Sequence, residues 1–264
     1  RDRGRRHHRD AADADGSVHL QLHPPLLPAE SALPPHTVAE RTFSAGGREL
    51  CACLYMDRRL SFALEGPGGI AFAYGFPPGE EEGSISGIRL PDALFLLVHT
   101  RPGGELLCLQ AHPRVQLIFC RAARSFSFEE GPRLLHVEKG IGDPCGRLHR
   151  QSFCLSAGGA AEAGSCLLPP TAASPSRGDL LLSFGAVLTG GFAEALSFLS
   201  PAFAAQLDFA DLKDFFSLPA SLHKPLCTDH TLALACPVGP HAQRIRLFSP
   251  EWSGEHICNI NEQT

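Results

Sequence analysis

The 264-residue sequence has no run of about 18 apolar residues, the length a membrane-spanning helix needs. Its densest candidate, Leu180–Leu188, is about half that length and is broken by Ser183 and Gly185. A membrane span is therefore not expected. No secretory leader is recognisable. There is no CxxC pair, so the signature of a zinc knuckle or a thioredoxin-like site is missing. None of His112, His136, His149, His223, His230, His241 and His256 forms an HxxxH or HExxH pair, no GxxxxGK(S/T) loop occurs, and no GxSxG elbow surrounds Ser156 or Ser183. Basic residues are not in excess: 23 Lys and Arg face 28 Asp and Glu, a net charge of −5. This argues against nucleic acid as the main partner, since that role needs a basic face. Methionine is nearly lacking. Met56 is the one present, and the chain opens at Arg1. We expect the natural start to lie upstream, which leaves a mitochondrial address open.

What is present is enough for a folded core. Hydrophobic residues make up 44% and charged residues 19%, a balance that excludes disorder throughout. The length suits one large domain or two small ones. Ten cysteines are scattered, and Cys108, Cys120, Cys154 and Cys236 sit in apolar runs. They read as small buried hydrophobes in a reducing, intracellular compartment. Cys51 and Cys53 form a CxC pair, closer than zinc ligands usually stand, so packing is their expected role.

Residues 1–40 differ from the rest. Arginine and histidine crowd Arg1–Asp10, and Pro24, Pro25, Pro28, Pro34 and Pro35 follow. Such proline density forbids long helices and central strands, so the segment reads as an extended arm or linker. Beyond Glu40, short apolar runs alternate with Gly and Pro. Strands are predicted over Thr42–Ala45, Leu50–Met56, Leu60–Leu64, Ala93–His99, Glu105–Ala111, Val115–Arg121 and Leu134–Val137. Arg101–Gly104 and Ala111–Pro113 read as turns of an antiparallel meander. Leu180–Phe184 reads as a buried strand after the loop Pro169–Gly178. Gly191–Leu218 reads as helical, with Asp208 and Asp211 as helix-start residues. Thr231–Pro237 and Arg244–Phe248 read as closing strands, and no internal repeat is visible.

The order of these motifs resembles that of the metal-dependent protein phosphatase 2C family. Gly47-Arg48-Glu49-Leu50-Cys51-Ala52-Cys53 stands where that family has Gly, Arg and a Glu-Asp pair. Leu64-Glu65-Gly66-Pro67-Gly68-Gly69 is similar to its Asp-Gly-x-Gly-Gly turn. Gly178-Asp179 to Ala186 follows its Gly-Asp, strand, Ser-Asp-Gly order, and Thr228-Asp229-His230-Thr231 takes the place of its final Asp-Asn. The resemblance implies an α+β fold, an antiparallel β-sandwich with flanking helices over residues 41–240, followed by a C-terminal extension at 241–264. Ile70–Leu90 is too short for the family's helical pair, so one helical layer is expected to be reduced.

Such phosphatases hold two divalent cations with carboxylates. On this alignment the metal-site positions are Ala52, Cys53, Glu65, Gly66, Ala186 and Thr228, of which Glu65 alone is acidic, and Arg48 matches the phosphate-binding arginine. One carboxylate cannot neutralise two divalent ions. The resemblance therefore implies a pseudophosphatase with no catalytic residue, no bound metal and no cofactor. Its expected role is a structural or scaffolding subunit bound to other protein subunits. Two alternatives stand beside it: an active phosphatase using Glu65, Asp179 and Asp229, and a phosphopeptide-binding module using Arg48. The dispersed histidines His112, His136, His149, His223, His230, His241 and His256 read as surface or core residues.

Overall fold

The computed structural model describes residues 36–171 and 176–263. Period-2 patterning decides most of it. In β2 (Arg48–Met56), Leu50, Ala52 and Leu54 are buried while Cys51, Cys53 and Tyr55 on the opposite face are half-buried. β1 (His36–Ala45), β2, β3 (Leu60–Gly66) and β4 (Gly69–Gly75) pair in chain order as one antiparallel sheet. A second sheet follows with β5 (Glu82–Arg89), β6 (Leu94–Arg101), β7 (Glu105–His112) and β8 (Gln116–Ala122). A third contains β9 (Ser125–Glu129), β10 (Leu134–Gly140), β11 (Leu148–Ser156) and β12 (Gly159–Leu167). β13 (Ser221–Leu222), β14 (Leu232–Gly239), β15 (Ala242–Ser253) and β16 (His256–Gln263) form the fourth.

The sheets stack. β6 sends Leu94, Leu96 and Val98 toward Leu50, Leu54, Phe62 and Leu64 of the first sheet. Its alternate residues Phe95 and Leu97 meet Leu135, Val137, Phe153 and Leu155 of the third. The second sheet is therefore covered by a sheet on each face, which is why its central strands β6 and β7 are near-continuous apolar runs. Phe119 and Phe153 mark the second seam, their rings 4.9 Å apart.

Between the third and fourth sheets lies a helical insertion. α1 (Arg177–Thr189) starts at a capping box in which Ser176 and Asp179 satisfy each other's backbone N–H groups. A 3₁₀ segment (Ala193–Phe198), α2 (Pro201–Ala204) and α3 (Phe209–Phe216) follow. Pro201 starts α2 and the Asp208–Asp211 capping box starts α3. Phe184, Phe198 and Phe216 from this insertion pack with Phe248 of β15 around Leu232 and Leu234. Gly185 lets α1 lie close on the fourth sheet, because a methyl group there would stand 2.7 Å from both Leu222 and Leu232.

This architecture corrects the expected fold class. It is mostly β, four antiparallel sheets of which the first three are stacked and the fourth packs on a helical insertion, not an α+β sandwich with flanking helical layers. Both faces of the second sheet are covered by neighbouring sheets, and the helices pack on the fourth sheet. Ile70–Leu90, expected to hold shortened helices, supplies β4 and β5. Leu180–Phe184 is part of α1 rather than a strand. The Gly191–Leu218 helical region is broken into three short pieces. Residues 241–264, expected as an extension, contain β15 and β16 and complete the fourth sheet. Residues 36–40 of the expected arm belong to β1, and 1–35 lie outside the described residues. The sequence carries no repeat, yet four meanders recur, since each needs only alternating apolar positions and turns.

Candidate functional site

Three hairpin turns converge at one end of the first two sheets. They are the β1–β2 turn at Gly46-Gly47, the β3–β4 turn at Pro67-Gly68 and the β7–β8 turn at Pro113-Arg114. Together they enclose a groove of about 490 Å³. Gly46 has φ +58°, and His112 lies so close to it that a Cβ would run into the imidazole. This contact ties the tip of the first sheet to the second. Leu50 and Gly66 also line the groove. Ile70, 62% exposed, and Val115, 38% exposed, are also part of its wall. Arg48 and His112 supply the ionisable groups of the lining, and none of the lining residues is acidic. Among the described residues Arg48 is in no ion pair.

The seven positions singled out by the phosphatase resemblance do not form one centre. Arg48 and Gly66 meet in the groove. Ala52 is fully buried in the seam between the first two sheets. Cys53 lies on the opposite face of β2 from Ala52, and Glu65 is exposed near the end of β3. Ala186 is inside α1, where it lines a separate cavity of about 760 Å³ with His149, Phe192, Lys139 and Lys224. Thr228 sits in the turn before β14, bridged to Thr231.

Outside the groove, Cys51 and Cys53 have their sulfurs 3.4 Å apart, and Cys51 Sγ lies 3.4 Å from Glu40 Oε1. Burial, then the neighbouring Cys53 and Glu40, push the Cys51 thiol up to about 12. Cys154, expected in the interior, is exposed, whereas Cys108 and Cys236 are buried.

A second polar cluster joins the third sheet to α1. Asp143, in the β10–β11 connection, has a side chain with no exposed surface. Its carboxylate accepts from Ser183 Oγ, from the Cys145 N–H at 2.8 Å and from Arg147 at 2.9 Å. Burial alone would raise the Asp143 pKa, and the bonds from Ser183, Arg147 and Cys145 overcome it, leaving the carboxyl below its ordinary value. Ser183 is fully buried and bonds to Asp143 and Cys145, so it serves as a structural strut. His149 stacks on Phe192 at 4.8 Å, and its Nε2 has no partner among the described residues. Burial lowers its pKa, with Glu162 opposing and Lys139 assisting.

Sequence reasoning missed His112 and Glu40 as neighbours of the singled-out residues. The turn at Ala111–Pro113 was visible, but its docking on Gly46 depends on how two sheets stack. Glu40 faces Cys53 only through the β1–β2 register. No family model and no curated protein matches the sequence.

Proposed function

We propose that the chain is a non-catalytic interaction module, a structural or scaffolding subunit of a larger protein assembly. Its groove between the first two sheets takes an extended segment of a partner protein, one with an apolar side chain beside a carboxylate. The observation that carries this reading is the groove's chemistry: exposed Ile70 and Val115 next to Arg48 and His112, with no acid in the wall. Water leaves apolar surface when such a side chain seats on Ile70, and full burial of a residue of that size is worth about 1.5–3 kcal/mol. An arginine without an ion-pair partner offers a carboxylate two parallel hydrogen bonds. The phosphatase resemblance, drawn from motif order, implied a fold that is not the observed one, and nothing in this proposal relies on it.

The test is selection of random displayed peptides on the immobilised full chain. The expected motif pairs a large apolar residue with Asp or Glu. Ile70→Asp is expected to weaken the selected peptide at least about tenfold, the equivalent of about 1.4 kcal/mol. Arg48→Glu is expected to shift selection toward basic peptides. Absence of any enriched peptide, or peptides that bind both variants as well as the parent chain, would overturn the reading.

A further inference from the structure

On the free face of the first sheet, three potential anionic ligands converge from two strands. Residues two apart on a strand share a face, so the CxC spacing places Cys51 and Cys53 side by side. The β1–β2 register then sets Glu40 opposite Cys53. The alternate residues Leu50, Ala52 and Leu54 are locked in the core, which fixes which way the two thiols face. The ligand atoms of Glu40, Cys51 and Cys53 all lie within 4.8 Å of one another. Glu40 is exposed and both cysteines are half-buried, so an ion has an approach from outside.

We propose that Glu40, Cys51 and Cys53 form a binding site for a single Zn²⁺-class divalent cation. A tetrahedral zinc ion, with bonds of about 2.3 Å to sulfur and about 2.1 Å to oxygen, holds two thiolates about 3.8 Å apart and a thiolate and a carboxylate oxygen about 3.6 Å apart. Two of the three corresponding separations are 3.4 Å and 3.4 Å, within a few tenths of an ångström of these values, and the third, Cys53 Sγ to Glu40, is within 4.8 Å. Two thiolates and a carboxylate are a borderline-soft set, which selects zinc over the hard cations calcium and magnesium. Once the thiols are deprotonated the three ligands carry like charge, which the bound cation offsets. The fourth position goes to water or to a group from a partner. Binding displaces the two thiol protons to solvent, so affinity falls as pH falls. The site faces away from the seam with the second sheet and is separate from the groove, whose lining contains none of the three residues.

The experiment titrates Co²⁺, as an optical stand-in for Zn²⁺, into the reduced, chelator-stripped full chain. One equivalent is expected to raise a thiolate-to-cobalt charge-transfer band with tetrahedral d–d bands, and Zn²⁺ is expected to erase both. Cys51→Ser and Cys53→Ser are expected to lose the charge-transfer band. Glu40→Gln is expected to keep it with affinity lower by about tenfold or more. Cys154→Ser/Cys166→Ser, which removes two exposed thiols elsewhere, is expected to leave it unchanged. Circular dichroism of the metal-free variants controls for folding. Octahedral spectra alone, or an unchanged charge-transfer band in Cys51→Ser/Cys53→Ser, would overturn the proposal. Loss of this band does not bear on peptide binding in the groove, so the two proposals fail separately.

Discussion

The first and second sheets have the same topology and opposite exposures. The second is sandwiched: Phe95 and Leu97 face one neighbour, and Leu94, Leu96 and Val98 face the other. The first is covered through Leu50, Ala52 and Leu54, while Cys51, Cys53 and Tyr55 stay half-buried on the other face. A strand buried on both faces must spend every side chain on packing. A strand with one free face has alternate positions left for chemistry. That division explains why the thiol–carboxylate trio lies on the first sheet. None of the four ion pairs among the described residues involves the second sheet.

The contrast is broken most directly by truncating both kinds of position. Phe95→Ala, at a fully buried site between the second and third sheets, is expected to cost about 3–5 kcal/mol in urea unfolding. Tyr55→Ala on the free face is the matched control, expected to cost under about 1 kcal/mol. Equal losses would mean that the sandwiched second sheet and the free face of the first are not energetically distinct.

A sharper version concerns the one seam built on charge. Asp143→Ala would leave Arg147 without its carboxylate and Ser183 without its acceptor, an expected loss of about 3 kcal/mol. Because the folded Asp143 carboxyl lies below its ordinary value, its contribution is present above the unfolded aspartate pKa of about 3.9 and is lost as pH falls through the folded one. Acid unfolding of the parent and Asp143→Ala should therefore converge below about pH 4. Curves that stay equally separated at low pH would count against this.

Not all of this was legible in advance. The alternation in Leu50–Met56 and Leu60–Leu64 and the apolar run in Glu105–Ala111 are strong enough to name their strands, and β2, β3 and β7 are there. Leu180–Phe184 is too short an apolar run for periodicity to separate strand from helix. The deciding signal was Ser176-x-x-Asp179, a capping box just ahead of it. β12, reading Gly159–Leu167, is rich in Ala and Gly and has no apolar period, so pairing with β11 alone defines it. The CxC pair was visible as a motif, while its third member was not. Glu40 is eleven residues from Cys51, and only strand register brings them together.

Smaller effects refine the comparison. Asp208→Ala removes the cap of α3 and is expected to cost about 1 kcal/mol, felt in the insertion and fourth sheet by hydrogen exchange. On the third sheet, Arg150 and then Ser125 bond Glu138 and hold its carboxyl below the ordinary range. Exchange protection of β10 and β11 should therefore weaken as pH falls through that lowered value, while β6 and β7, with no ion pair, hold theirs. Uniform weakening across both sheets would contradict the division.

The central claim is that the tip of the first two sheets is the docking surface. Hydrogen–deuterium exchange of the full chain, with and without its selected peptide, tests it most directly. Protection confined to the three turns around Gly46, Gly68 and Pro113, with β6 and the fourth sheet unchanged, is the predicted result. Protection centred on the α1 cavity near Ala186 and His149, with the three turns unchanged, would contradict it.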